Sequence, residues 1–252
     1  MIHRPANPHD SLPVAILLIF AAGMLDAYTF VAHHAVFANA MTGNLVILLV
    51  RLMERDYVHA LAYLVPLLAY AFGVATAHAL HQRPVRHWVV SPSRVSLAIE
   101  ILFLAALAAS GDHIGDAAVA GIAFVAAVQG TSFTRIGGFT FTSVSTSANL
   151  RHFIEGLLDW TVFSRLSGAD ASDAHSDQFG RARRFTVYYG SLFAFFVAGA
   201  GLGAMAAGTW PHLALWLPVV CLAAALGLCL PWNVRLQHLF RGEQTRPPQT
   251  PS

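Results

Sequence analysis

Residues 36–54 read VFANAMTGNLVILLVRLME, a stretch too apolar for a surface loop and too broken for an ordinary membrane span. Its centre, Met41-Thr42-Gly43-Asn44, has the character of a helix start. Thr42 or Asn44 can accept from freed backbone N–H groups, Gly43 relaxes the turn, and Leu45 to Met53 continues as a short apolar helix. Two readings are open from these residues alone: a half-helix whose N-terminus lies inside a membrane, or a loop followed by a short helix on the membrane surface.

The rest of the chain calls for a bilayer. Of 252 residues, 56% are hydrophobic and 11% charged, with mean hydropathy +0.57, against roughly 25% charged in soluble domains. The formal net charge is +2, and no block of like charge suits a nucleic acid. Cys221 and Cys229 stand eight residues apart in one apolar run, which excludes a disulfide between them. The run from Pro13 to Val31 has span length, carries Asp26 near its far end and is followed by no A-x-A site. It is therefore expected to stay in the mature chain rather than act as a signal peptide.

Apolar windows of about 20 residues predict six spans. They run Pro13 to His33, Tyr57 to Ala79, Val95 to Ser110, Asp116 to Arg135, Phe185 to Gly208 and His212 to Pro231. Between them lie an arginine-rich loop from His81 to Arg94, a short acidic turn around Asp112 and a polar loop over 160–184, whose ADASDAHSD composition predicts local disorder. Residues 1–12 and 232–252 form an N-terminal segment and a tail around a single membrane domain, 13–231. The positive-inside tendency draws both basic loops and the basic tail to the cytoplasm, which works only if Thr140 to Trp160 does not cross the membrane. That segment is expected to be re-entrant or interfacial.

An offset of 105 residues sets Thr42-Gly43-Asn44-Leu45 over Ser147-Ala148-Asn149-Leu150 and Asp26 over Thr131. With the polar loop as an insertion, Gly73, Ala75 and Ala77 fall over Gly199, Gly201 and Gly203. Two halves follow, about 13–111 and 115–231, and three spans apiece make the second enter the membrane upside down. The expected fold is an all-α polytopic membrane protein: six transmembrane helices as two inverted three-helix repeats, each with a broken or re-entrant half-helix. Both half-helix N-termini would then face the midplane, favouring an anion or a polar acceptor group.

At these residues the chain resembles the YoaK-like family of uncharacterised bacterial integral membrane proteins. The family's first-half pattern, a Gly-x-x-Asp-Ala helix followed by Asn-x-Met-Thr-Gly-Asn, stands here as Gly23-Met24-Leu25-Asp26-Ala27 and Asn39-Ala40-Met41-Thr42-Gly43-Asn44. Its second-half pattern, Gln-Asn-Ala, then Arg-x-Gly-Gly, then a Thr-Gly element, stands as Gln129-Gly130-Thr131, Arg135-Ile136-Gly137-Gly138 and Ser147-Ala148-Asn149. The first and last of these three depart from the pattern. The resemblance runs from Pro13 to Pro231 and implies a bacterial inner-membrane location, but no activity.

Asp26 lies ~20 Å into the first span, where a carboxylate costs roughly 2.5 to 3.5 kcal/mol. It is either a proton- or cation-coupling site or one half of a structural pair with Arg51. Glu100, two turns from Arg94, is read as a structural pair with Arg135 ahead of a functional charge. Gln129 and Thr131 either line the same cavity as Asp26 or bond between helices. The polar run Thr140, Thr142, Ser143, Ser145, Thr146, Ser147 and Asn149 either lines a path or forms a solvated loop. His78-x-x-His81 has no acid or cysteine nearby to complete a metal site, so the interfacial reading is preferred, as it is for His33-His34. The glycine series is expected to allow close helix packing.

No nucleophile elbow, P-loop, zinc-hydrolase or dinucleotide motif occurs, so no enzyme, cofactor or metal is expected. The candidate substrate-binding set is Asp26, Asn39, Met41, Thr42, Gly43, Asn44, Gln129, Thr131, Ser147 and Asn149. The leading expectation is a small-solute transporter or channel with both termini cytoplasmic. Its partners would be the lipid bilayer and an unidentified small solute, with no nucleic acid and homo-oligomerisation left open. The alternatives are a non-transporting partner-binding or sensory protein and an intramembrane lipid-modifying enzyme.

Overall fold

Helix-compatible apolar runs separated by polar breaks leave the backbone little choice, and the computed structural model is accordingly helical over nearly all the residues it describes, 11–82, 91–111, 115, 117–136, 139–141, 146–166 and 173–230. Helix α1 spans Leu12–Ala32, with a proline in the first turn, where a missing N–H leaves no bond unmade. Helix α2 is Met41–Met53 and α3 is Tyr57–His81, started by Asp56, whose carboxylate accepts from the His59 N–H at 3.4 Å. Then come α4, Pro92–Ser110, and α5, Ala117–Ser132. A two-stranded antiparallel hairpin follows, β1 (Arg135–Ile136) and β2 (Phe139–Thr140), with Arg135 opposite Thr140 and Ile136 opposite Phe139. The chain continues through α6, Thr146–Leu166, the 37-residue α7, Asp173–Thr209, the short α8, Pro211–Ala214, and α9, Trp216–Cys229.

Several expectations are corrected. The fourth predicted span stops at Ser132, not Arg135, because the chain turns into the two-residue strands of the hairpin, while the fold is all-helical as expected. The stretch 160–184, expected as a polar loop, is helical to Leu166 and again from Asp173: its Gln178-to-Arg184 part simply prolongs the apolar helix behind it. The short helix starts at Met41 rather than Leu45, and its cap residue, Ala40, offers no side-chain hydrogen bond. Thr42 and Asn44 therefore sit inside the first turn instead of capping it. The 83–90 part of the arginine-rich loop, the 112–114 turn, the 142–145 hydroxyl run and both termini lie outside the described residues.

Among the described residues, four helices are long and apolar enough to cross a membrane: α1, α3, α4 and the Gln178–Thr209 part of α7. Helices α2, α5 and α9 are apolar but shorter, about 20 to 24 Å at 1.5 Å per residue, against a hydrocarbon core of roughly 30 Å. Surface chemistry agrees with a lipid solvent. On α3, Val58, Leu61, Val65, Leu68 and Phe72 recur every three or four residues and are all exposed, as are Leu45, Val46, Leu49 and Val50 of α2. In water such a face would drive aggregation. These are the apolar helices of a membrane-embedded protein.

Helix α1 lies at the centre. Its Val14, Leu18, Ile19 and Leu25 are buried with Leu97 and Leu104 of α4, Leu192 of α7 and Leu222 of α9. The principal contacts pair α1 with α7 and α9, α3 with α2 and α5, α6 with α7, and α4 with α5 and α9; slighter ones join α1 with α5, α3 with α4, and α8 with α4, α7 and α9. Glycine permits the two closest crossings. A Cβ on Gly203 would stand 2.5 Å from the Met24 carbonyl oxygen on α1, and one on Gly73 2.5 Å from the Phe124 carbonyl oxygen on α5. Gly201 faces away with nothing within 4 Å, so it does not share the packing role expected of the series.

Candidate functional site

Between α1 and α2 the chain must reverse within eight residues. It does so through His34 and Ala35, both left-handed at φ 50° and 59°. Neither is glycine, so the turn is held by its surroundings: the Tyr63 hydroxyl of α3 donates to the His34 carbonyl at 2.9 Å, and His33, expected to be interfacial, is buried with its ring against Tyr28. Replacing Ala35 by glycine is expected to raise thermal stability in detergent by about 1 kcal/mol, because glycine adopts this conformation without the Cβ clash. An unchanged or lowered melting temperature would show that the turn is not strained.

After the reversal the backbone runs back beside α1. The Asn39 N–H donates to Asp26 Oδ1 at 2.6 Å. The Asn39 amide reaches the Ala22 carbonyl at 3.4 Å. Asp26 thus pins the turn just ahead of α2 to α1. One turn on, Asn44 closes a ring with the backbone of Phe37, accepting its N–H at 2.9 Å and donating to its carbonyl at 2.8 Å. Gly43 lets the Phe37 ring lie against the helix, since a Cβ there would meet it at 3.2 Å. The motif Asn39 to Asn44 is a knot of backbone satisfaction around one buried carboxylate.

Arg51, considered as the partner of Asp26, lies elsewhere: it bonds Glu54 at 3.1 Å and stands 3.8 Å from Asp56 on the surface. The His59 ring, hydrogen-bonded to Asp56 at 2.8 Å, holds that carboxyl below its ordinary range, with Arg51 assisting. Glu100 is buried, and its Oε2 has no hydrogen-bond partner among the described residues. The side chain of Arg135, its expected partner, lies outside the described part.

Asp26 opens onto a cavity of about 640 Å³. Asn39, Met41 and Thr42 line it at the start of α2, and Thr146 and Ser147 at the start of α6, so the N-termini of two helices 105 residues apart in sequence meet at one space. Gly43, Asn44, Gln129, Thr131 and Asn149 do not line it. Asn44, Gln129 and Asn149 are instead buried in the protein, and Gly43 packs on Phe37. Four lining aromatics escaped the sequence reading: Phe30, Phe37, Tyr70 and Phe196. A signal for two of them existed, because Tyr70 and Phe196 each precede by three residues the matched glycines Gly73 and Gly199. In the second half, Tyr189 of α7 donates to the Thr140 carbonyl at 2.9 Å, ahead of α6.

No curated protein and no solved structure matches the chain. A family model described as "Protein of unknown function (DUF1275)" matches residues 14–228; it supports the resemblance to an uncharacterised family without the narrower YoaK-like name. The match runs from the first turn of α1 to the last turn of α9 and takes in both helix starts and the cavity between them, and the chain belongs to this DUF1275 family.

Proposed function

We propose that the protein is a small-solute transporter or channel of the bacterial inner membrane, built as two inverted repeats, with its solute path through the cavity at the two half-helix starts. The observation that carries this reading is the cavity itself, about 640 Å³ lined by Thr42 on one side and Ser147 on the other. Irregular backbone at membrane depth is tolerated where it borders such a space, and discontinuous helices there serve solute binding in many carriers.

The repeat is supported by packing. Exchanging α1 with α5, α2 with α6, α3 with α7 and α4 with α9 turns each of the principal pairs above into another principal pair, α4 with α9 mapping onto itself. Tyr63 and Tyr189 are 126 residues apart, as are Gly73 and Gly199, and each tyrosine bonds a carbonyl in the segment before its half-helix. Six crossings then require α5 and α9 to span despite their length, which local thinning of the bilayer or the extra turn of α8 ahead of α9 accommodates. Both termini are cytoplasmic in this topology.

Purified protein in proteoliposomes is expected to show flux of a small solute that Asp26→Asn alters, with single cysteines at Arg55 and Asp159 labelled from opposite faces. Unaltered flux of an identified solute would remove Asp26 from the path. Labelling of both cysteines from one face would end the inverted arrangement.

A further inference from the structure

Resting on that reading of the cavity, we infer that its solute is uncharged, with a ring-bearing apolar body and a hydroxyl-like polar end. Charge is the first argument. No arginine, lysine or histidine lines the cavity, and Asp26 is its one ionisable carboxyl, among the described residues. Each facing helix start carries about half a positive charge, but at the α2 end the Asp26 carboxyl already takes the Asn39 N–H. An anion entering the space would find that donor occupied by the protein's own oxygen. A cation would meet a carboxylate whose Oδ1 is already held by the Asn39 N–H at 2.6 Å, with Asp26 7% and Asn39 3% exposed. The protein has placed its own carboxyl just ahead of the start of α2.

Shape is the second argument. A bare ion would leave a 640 Å³ space almost empty, whereas that volume falls in the range of small-molecule sites, roughly 300 to 1,000 Å³. Its walls present Phe30, Phe37, Tyr70 and Phe196, which suit a planar apolar body. At the two helix starts, Thr42 and Ser147 are exposed to the space, and their hydroxyls make no hydrogen bond to another described residue. Those hydroxyls can both donate and accept, the requirement for a neutral polar end.

The test uses three probes of one shape and different charge, 2-naphthalenemethanol, 2-naphthoate and 2-naphthylmethylammonium, titrated against the full chain in detergent with thermal stabilisation as the readout. The alcohol is expected to stabilise saturably, with the carboxylate and the ammonium at least tenfold weaker. Thr42→Val and the space-filling Ala200→Leu should each weaken the alcohol; Thr42→Val keeps the test informative if Ala200→Leu fails to fold. Asp26→Asn, which removes the charge but keeps an oxygen for the Asn39 amide, should strengthen the carboxylate at least tenfold relative to the alcohol. Naphthoate binding the wild type as tightly as the alcohol would overturn the inference, as would the lack of a saturable shift sensitive to Thr42→Val or Ala200→Leu. Selective binding of the alcohol without any flux would leave the solute class standing and remove the transport reading. Flux of a charged solute would do the reverse.

Discussion

Gly203→Ala is expected to destabilise the protein by about 2 to 3 kcal/mol, while Gly201→Ala, two residues away on the same helix, stabilises it by up to about 1 kcal/mol. The contrast comes from the crossing of α1 and α7. A Cβ at position 203 would lie 2.5 Å from the Met24 carbonyl oxygen and 2.7 Å from the Met24 Cα, and backbone atoms inside a helix cannot swing aside as the end of a side chain can. Nothing lies within 4 Å of a Cβ at position 201, so alanine there only gains helix propensity. Gly203→Leu should prevent folding outright. Detergent melting curves on the pair decide the matter: equal shifts for the two alanine variants would mean that α1 and α7 do not meet at Met24.

Asp26→Ala is expected to cost about 3 kcal/mol, and Asp26→Asn about 1. Alanine strands the buried Asn39 N–H just ahead of α2. Asparagine retains an oxygen for the 2.6 Å bond. Limited proteolysis around 36–44 should rise in the alanine variant before the rest of the chain opens, since Asp26 ties that segment to α1. Wild-type melting and proteolysis in Asp26→Ala would show that the carboxylate holds nothing, and would return it to the role of a free coupling charge.

Much of the architecture was legible in advance, because helix ends in an apolar chain are marked locally. The predicted starts and ends of α1, α3 and α4 fall within three residues of the observed ones. The polar stretch before Phe185 misled because composition says nothing about whether a neighbouring helix will be prolonged. Asp26 was legible as an expensive buried charge, but its partner was sought among arginines. Its actual partner is a backbone amide, a group that no sequence pattern reveals. Arg51 looked suitable by depth and sign, yet the local Glu54 and Asp56 claim it.

The sequence by itself determined the solvent of this protein, the places where helices begin and the stretch 36–54 as a broken element, since hydropathy, prolines and turn residues act within a few positions of one another. Only the tertiary structure decided that Asn39 ties the turn ahead of α2 to Asp26 and that Thr42 and Ser147 border one cavity. It also decided that Tyr70 and Phe196 wall that cavity. These depend on helices distant in the chain approaching to backbone contact at Gly203 and Gly73, a distance set by packing rather than by any local preference.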